Sequence, residues 1–115
     1  MYERQVGEYR VVGLAVDEQT RCAHWYSERD VVAMRFGCCS TFYPCHSCHE
    51  ACANHPPTVW PYARRDEAAV LCGGCGHAMT VESYINCDSR CPACAIAFNP
   101  GCAAHYPLYF DPLYL

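Results

Sequence analysis

The chain has 115 residues, with 8 Lys plus Arg against 12 Asp plus Glu and a formal charge of −4 with histidine neutral. That length suits one domain with a modest core, and the shortage of basic residues speaks against binding a phosphate backbone, which needs clustered Lys and Arg. Its 12 cysteines are dense enough to signal a scaffold cross-linked by metal or by disulfides.

In chain order, the first ten residues, MYERQVGEYR, carry Glu3, Arg4, Glu8 and Arg10 with no apolar run behind them, and do not read as an export signal. Residues 8–16 (EYRVVGLAV) and 31–36 (VVAMRF) are β-branched or aromatic runs that predict strands. Between Phe36 and His55 lies a knot of Cys, Pro and His in which no regular element beyond a turn is expected. The stretch 55–65 holds Pro56, Pro57 and Pro61 and predicts an extended surface connection, with Val59 and Trp60 packing inward. Ala69 to Leu71 predicts a short strand and Cys72 to Cys75 a tight turn. Thr80 is placed to N-cap a short helix through Tyr84 and Ile85. The tail HYPLYF, residues 105–110, reads as a final strand.

The longest stretch free of Asp, Glu, Lys and Arg, from Arg90 to Asp111, contains Pro92, Asn99, Pro100, His105 and Pro107, contents unsuited to a membrane span. The expectation is a cytoplasmic chain with no membrane association. Compartments without secretion keep thiols reduced, so cysteine at this density points to metal.

The ligand inventory is specific. Cys72-Gly-Gly-Cys75, fifteen residues, then Cys91-Pro-Ala-Cys94 is the spacing of a four-cysteine zinc site, because two intervening residues let paired thiolates fold around one ion. Upstream stand Cys22, His24, Cys38, Cys39, Cys45, Cys48, His49 and His55. Cys22, His24, Cys45 and Cys48 suit one tetrahedral centre, and Cys38, Cys39, His49 and His55 can complete another. Adjacent cysteines are awkward on one ion, however, so Cys38 and Cys39 can also serve different ions in interleaved sites. The better-founded expectation is the total of about three zinc ions, since thiolate and imidazole donors without hard oxygens select zinc over magnesium or calcium. Cys102 and His105 are additional candidates, open to reading as a reserve pair, as a replacement for a ligand such as His55, or as structural, while Cys52, Cys87, His46 and His77 read as ordinary side chains.

The run Cys22-x-His24, Asp30-Val-Val-Ala, Arg35-Phe36, Cys38-Cys39, Tyr43-Pro-Cys45-x2-Cys48-His49, then His55 and the two CxxC pairs resembles the CHY-type zinc finger. The resemblance implies that those twelve Cys and His residues, from Cys22 to Cys94, are the zinc ligands, and that Cys52 and Cys87 are not. Larger members of that family attach a RING finger and act as ubiquitin ligases, and a small mitochondrial intermembrane-space member is linked to zinc handling and the import disulfide relay. This chain has no RING and looks like the short, free-standing members, in which an Asn99-Pro-Gly-Cys102-x2-His105 tail follows the finger.

Other chemistries lack parts. Cys45-His-Ser-Cys48-His49 satisfies the haem-attachment pattern C-x-x-C-H without the export that this chemistry needs. Pro44-Cys45-x2-Cys48 matches half of the zinc deaminase signature, but His24 is followed by Trp25 and Tyr26, leaving no glutamate for the general acid. Glu50 beside His49 is the one carboxylate in the knot and reads as a solvated neighbour.

The expected architecture is a small zinc-stabilised α+β domain of short strands, hairpins and irregular loops organised by about three structural zinc sites. It spans 1–115, with the finger over about 15–95 and the tail 96–115 packed on it. The expected function is a non-enzymatic zinc module that binds a protein partner, with thiol-zinc redox chemistry or zinc delivery to a client as the alternative. Nine thiolates and three zinc dications would carry the loaded chain from −4 to about −7, which favours a protein partner over nucleic acid.

Overall fold

The computed structural model describes residues 2–26, 28–39, 41–99 and 106–114. Their centre is a six-stranded sheet in the order β1-β2-β4-β3-β5-β6. Its strands are β1 Tyr2–Val6, β2 Tyr9–Gly13, β3 Val32–Arg35, β4 Phe42–Tyr43, β5 Val70–Cys72 and β6 Ala78–Met79. Neighbours are antiparallel except β2 and β4, which run parallel with Val11 opposite Phe42. The predicted strands at 8–16, 31–36 and 69–71 correspond to β2, β3 and β5.

Side chains that alternate along each strand fill two separate cores. Val12, Val32, Met34, Tyr43, Val70 and Cys72 face the larger core, together with Phe36, Trp60, Val81, Tyr84, Phe98 and Phe110. The intervening residues Val11, Ala33, Phe42 and Leu71 face the smaller one, closed by Val6 and Val16. Every position of β4 and β5, and most of β2 and β3, is therefore buried, which is why β2, β3 and β5 read as apolar runs.

Four elements depart from expectation. The charged N-terminus forms β1, an edge strand that pairs along its whole length with β2 through a turn at Gly7. Glu3, Arg4 and Gln5 stay exposed there, and charge on an edge discourages further pairing. The Cys-rich knot contains β4 and helix α1, His46–Cys52, capped by the Cys45 sulfur, which accepts the Cys48 N–H. The tail is helical rather than extended: α3 spans Tyr106–Tyr109, and the Phe110 N–H donates to Tyr106 O at 2.9 Å.

The predicted short helix is α2, Val81–Ile85, with Thr80 Oγ1 accepting from Ser83 N–H. The proline-rich connection carries a 3-10 turn at Tyr62–Arg64. It buries Trp60 completely, whereas Val59 is only half-buried. The C-terminal segment holds Trp60 in place: Trp60 N–H donates to Tyr109 O at 2.8 Å and Asp111 N–H to Trp60 O at 3.2 Å. The Arg64 guanidinium stacks on the indole 4.0 Å from the ring centroid. Among the described residues, no helix is long and apolar enough to cross a membrane.

Candidate metal centres

Three groups of four side chains each bring their donor atoms within 4.8 Å of one another: Cys22, His24, Cys45 and Cys48; Cys38, Cys39, His49 and His55; Cys72, Cys75, Cys91 and Cys94. All twelve candidates from Cys22 to Cys94 lie in one of these groups. Cys38 and Cys39 share a group rather than serving two. Cys52, Cys87, His46 and His77 lie outside them, and Cys102 and His105 lie outside the described residues.

The first group joins the loop after β2 to the start of α1. Cys22 and Cys45 sulfurs are 3.7 Å apart, and His24 Nδ1 stands 3.7, 3.5 and 3.5 Å from Cys22, Cys45 and Cys48. In the second, the Cys38 and Cys39 sulfurs are 3.8 Å apart and lie 3.2 and 3.8 Å from His49 Nε2. The third closes the β5–β6 turn against the 91–94 turn, with Cys72 to Cys94 and Cys75 to Cys91 both at 3.8 Å.

These spacings decide between metal and disulfide. Tetrahedral zinc with sulfur at about 2.3 Å and imidazole nitrogen at about 2.0 Å sets sulfurs about 3.8 Å apart and nitrogen about 3.5 Å from sulfur. A disulfide needs about 2.05 Å, and all eleven described cysteines are free.

Buried polar atoms fit the same reading. His55 Nδ1 bonds Asn54 Oδ1 at 3.1 Å, while its Nε2 is buried with no hydrogen-bond partner. An imidazole held through one nitrogen with the other unsatisfied is arranged as a metal ligand. His49 is wholly buried between the rings of Phe36 and Tyr43, with centroids 4.5 and 4.8 Å away. That burial, with the nearby His55 and His46 charges, lowers its pKa and keeps it neutral, the form that ligates.

The thiols of the first cluster also perturb one another. Hydrogen bonds with Cys45 and Cys48 hold Cys22 far below the ordinary thiol value, and Cys22 in turn pushes Cys45 and Cys48 upward. A divalent cation among these three buried sulfurs would let all of them ionise. Backbone amides support them: Leu14 N–H donates to Cys48 Sγ at 3.5 Å and Ala93 N–H to Cys91 Sγ at 3.4 Å. Sequence reading missed these supporting groups, which lack a side-chain signature. Asn54 was recoverable in principle, as an amide beside a candidate histidine.

With this geometry in hand, the family is decided by the match of residues 22–99 to the CHY zinc finger. The chain belongs to the CHY zinc-finger family. It is 43% identical over 109 residues to Helper of Tim protein 13 of Saccharomyces cerevisiae, covering 90% of this chain and 92% of that protein. The protein of the same name from Kluyveromyces lactis is 37% identical over 101 residues, 88% of each chain. An uncharacterised Schizosaccharomyces pombe protein is 42% identical over 101 residues, again 88% of each. This CHY finger is therefore a small, cysteine-rich zinc-binding module, and its three clusters are consistent with about three zinc ions.

Proposed function

We propose that Cys22, His24, Cys45 and Cys48; Cys38, Cys39, His49 and His55; and Cys72, Cys75, Cys91 and Cys94 each ligate one zinc ion. The three ions build a non-enzymatic platform for a protein partner, with residues 1–115 acting as one unit. The observation that carries this reading is the 3.2–3.8 Å spacing of donor atoms within the clusters. Bound zinc supplies the cationic charge that lets neighbouring thiolates be buried together.

The name Helper of Tim protein 13, borne by two relatives, supports a role as helper to Tim proteins. With the family resemblance, it favours the mitochondrial intermembrane space over the cytoplasm. Beside the first cluster, Trp25, Val32, Met34, Pro44 and Leu108 line an apolar groove of about 320 Å³. The acidic loaded chain, near −7 by about three zinc centres, favours a basic, apolar-bearing segment of a Tim protein as its occupant.

The test has two parts. Native mass spectrometry should show three zinc ions and no disulfide, and the loaded chain should capture purified Tim proteins in a salt-sensitive manner. Fewer zincs with several disulfides would overturn the metal assignment. Undiminished capture after complete zinc removal would overturn the platform. A second reading, zinc exchange with a client, is favoured by one observation: Cys75 and Cys94 are exposed.

A further inference from the structure

Asp30 opens the Asp30-Val-Val-Ala run that accompanies the ligands in sequence, yet it belongs to none of the three clusters. It is only 9% exposed, and a carboxylate that deep is costly to keep unless it has a partner or a task. Asn99 Nδ2 donates to Asp30 Oδ1 at 3.0 Å, and Asn99 N–H donates to Arg29 O at 3.0 Å. Together these bonds pin residue 99 against the loop before β3. A neutral acceptor would serve the same contact, so the bond does not account for the negative charge.

That charge lies in the wall of the apolar groove beside the first cluster. At about 320 Å³ the groove is at the lower end of ligand-sized cavities. Trp25 and Leu108 form its open rim, 45% and 44% exposed, while Val32 and Met34 are buried beneath them. Among the described lining residues Asp30 is the one carboxylate, and none is lysine or arginine. Thr20 lines the same wall with φ of 68° and a buried hydroxyl that has no hydrogen-bond partner among the described residues. A β-branched residue in the left-handed region with an unused polar atom is a local cost of the kind that binding sites retain. Cys45 brings the first cluster to the edge of the groove, and three thiolates with one zinc dication give that centre about −1. The start of α1 borders the groove too, but two of its N–H groups are taken: His46 N–H donates to the Tyr109 hydroxyl at 2.9 Å and Cys48 N–H to the Cys45 sulfur. Two negative centres around an apolar slot attract a cation carried on an apolar stem.

We infer that this groove captures a basic side chain, lysine or arginine, of the partner segment, with its stem along Trp25, Val32, Met34 and Leu108 and its cationic head held by the Asp30 carboxylate. The Trp25 ring adds a cation–π attraction at the rim. Asp30 is then the residue that selects the segment, and zinc in the first cluster both fixes one wall and adds to the field. The inference rests on the partner-platform reading and gives it a point of recognition.

The test uses the zinc-loaded chain and short peptides Gly-Ser-Phe-Xaa-Leu-Ser-Gly with lysine, norleucine, arginine or citrulline at Xaa. Binding is read from the emission of Trp25, since Trp60, the other tryptophan, is wholly buried. The lysine and arginine peptides should bind at least ~10-fold tighter than their neutral counterparts, the scale of a close charge pair at an interface. Asp30→Asn keeps an acceptor for Asn99 and removes only the charge, so it should erase that preference while three zinc ions stay bound. Ser47→Lys, at an exposed position on the groove, installs a resident ammonium and should erase it without touching Asp30. Equal affinity for charged and neutral peptides, or a preference that survives in either zinc-loaded variant, overturns the inference and leaves the platform standing. So does capture of purified Tim proteins without peptide binding up to about 1 mM, or shielding of Trp25 that grows with chain concentration alone, the mark of a second copy in the groove. Failure of the unaltered loaded chain to capture Tim proteins overturns the platform and this inference with it.

Discussion

The α-carbon of Gly73 lies against the carbonyl oxygen of Gln19, so closely that no side chain fits between them. A Cβ there would also stand 2.8 Å from Thr20 Oγ1, and Gly73 N–H donates to Val31 O at 2.6 Å. The turn of the third cluster is thus seated directly on the loop that leads into the first. Gly73→Ala should cost about 1–3 kcal/mol, because the obstructing atoms are backbone and cannot swing away. Gly74→Ala meets the flexible Ile96 side chain at 3.0 and 3.2 Å and Cys72 Sγ at an ordinary 3.6 Å, and should cost less than about 1 kcal/mol. Urea denaturation of the zinc-loaded variants checks the order.

The glycines illustrate what was and was not readable beforehand. Cys72-Gly-Gly-Cys75 announces a tight turn, and β2, β3 and β5 announce themselves as apolar runs because both faces are buried. Helix α1 was hidden by its composition. Its candidate donors at 45, 48 and 49 follow helical spacing, but cysteine and histidine count as neither apolar stripe nor solvent face in periodicity reasoning. β1 was missed because its exposed charges mark an edge strand and carry no core signal. The tail misled for the opposite reason: HYPLYF alternates like a strand, yet Tyr106 and Phe110 stack at 5.3 Å across one helical turn. The partition of donors is readable from the short spacer within each ligand pair, although the first cluster joins donors 21 to 24 positions apart, which local pattern alone does not encode.

Asn54 orients His55 through the 3.1 Å contact with Nδ1. Replacing it with alanine should weaken zinc at the second cluster by about 10-fold, the lower end of what loss of an outer hydrogen bond costs a metal-bound histidine. Competition with a chromogenic chelator measures this. Asn54→Asp should retain affinity, since a carboxylate accepts the same N–H. Equal loss in both variants would mean that the hydrogen bond does not orient the ring.

Cys52 and Cys87 test the boundary of the ligand set. Cys52 ends α1 and packs at the edge of the core, and Cys87 Sγ donates to Tyr84 O at 3.0 Å. Cys52→Ser and Cys87→Ser should each keep three zinc ions and lose about 1 kcal/mol or less, the scale of one half-buried contact. Cys45→Ser should lose one zinc. It should also unfold the chain largely, because a structural zinc contributes on the order of 10 kcal/mol against a net stability of about 5–15 kcal/mol. Metal counting with circular dichroism separates the two classes.

Acid should weaken the zinc-loaded fold through its thiolates and, at lower pH, through His49. Burial lowers the His49 pKa below the ordinary 6.5, so the unfolded chain binds this proton more readily than the folded one. The stability that neutral His49 contributes is therefore fully present above 6.5, falls as pH drops below it, and stops falling once pH passes the lowered folded value. Within that window the slope from one proton is about 1.4 kcal/mol per pH unit. The cluster thiolates, ionised in the metal-bound fold, take up protons on unfolding at any pH below the ordinary thiol value of about 8.5, so they slope the curve before the histidine window is reached. The urea midpoint of the zinc-loaded chain should fall as pH drops below about 8.5 and fall more steeply below about pH 6.5, where His49 adds its proton. Emission from Trp60, wholly buried in the fold, should shift to longer wavelength as zinc departs. A midpoint unchanged down to about pH 5 would show that His49 makes no such contribution.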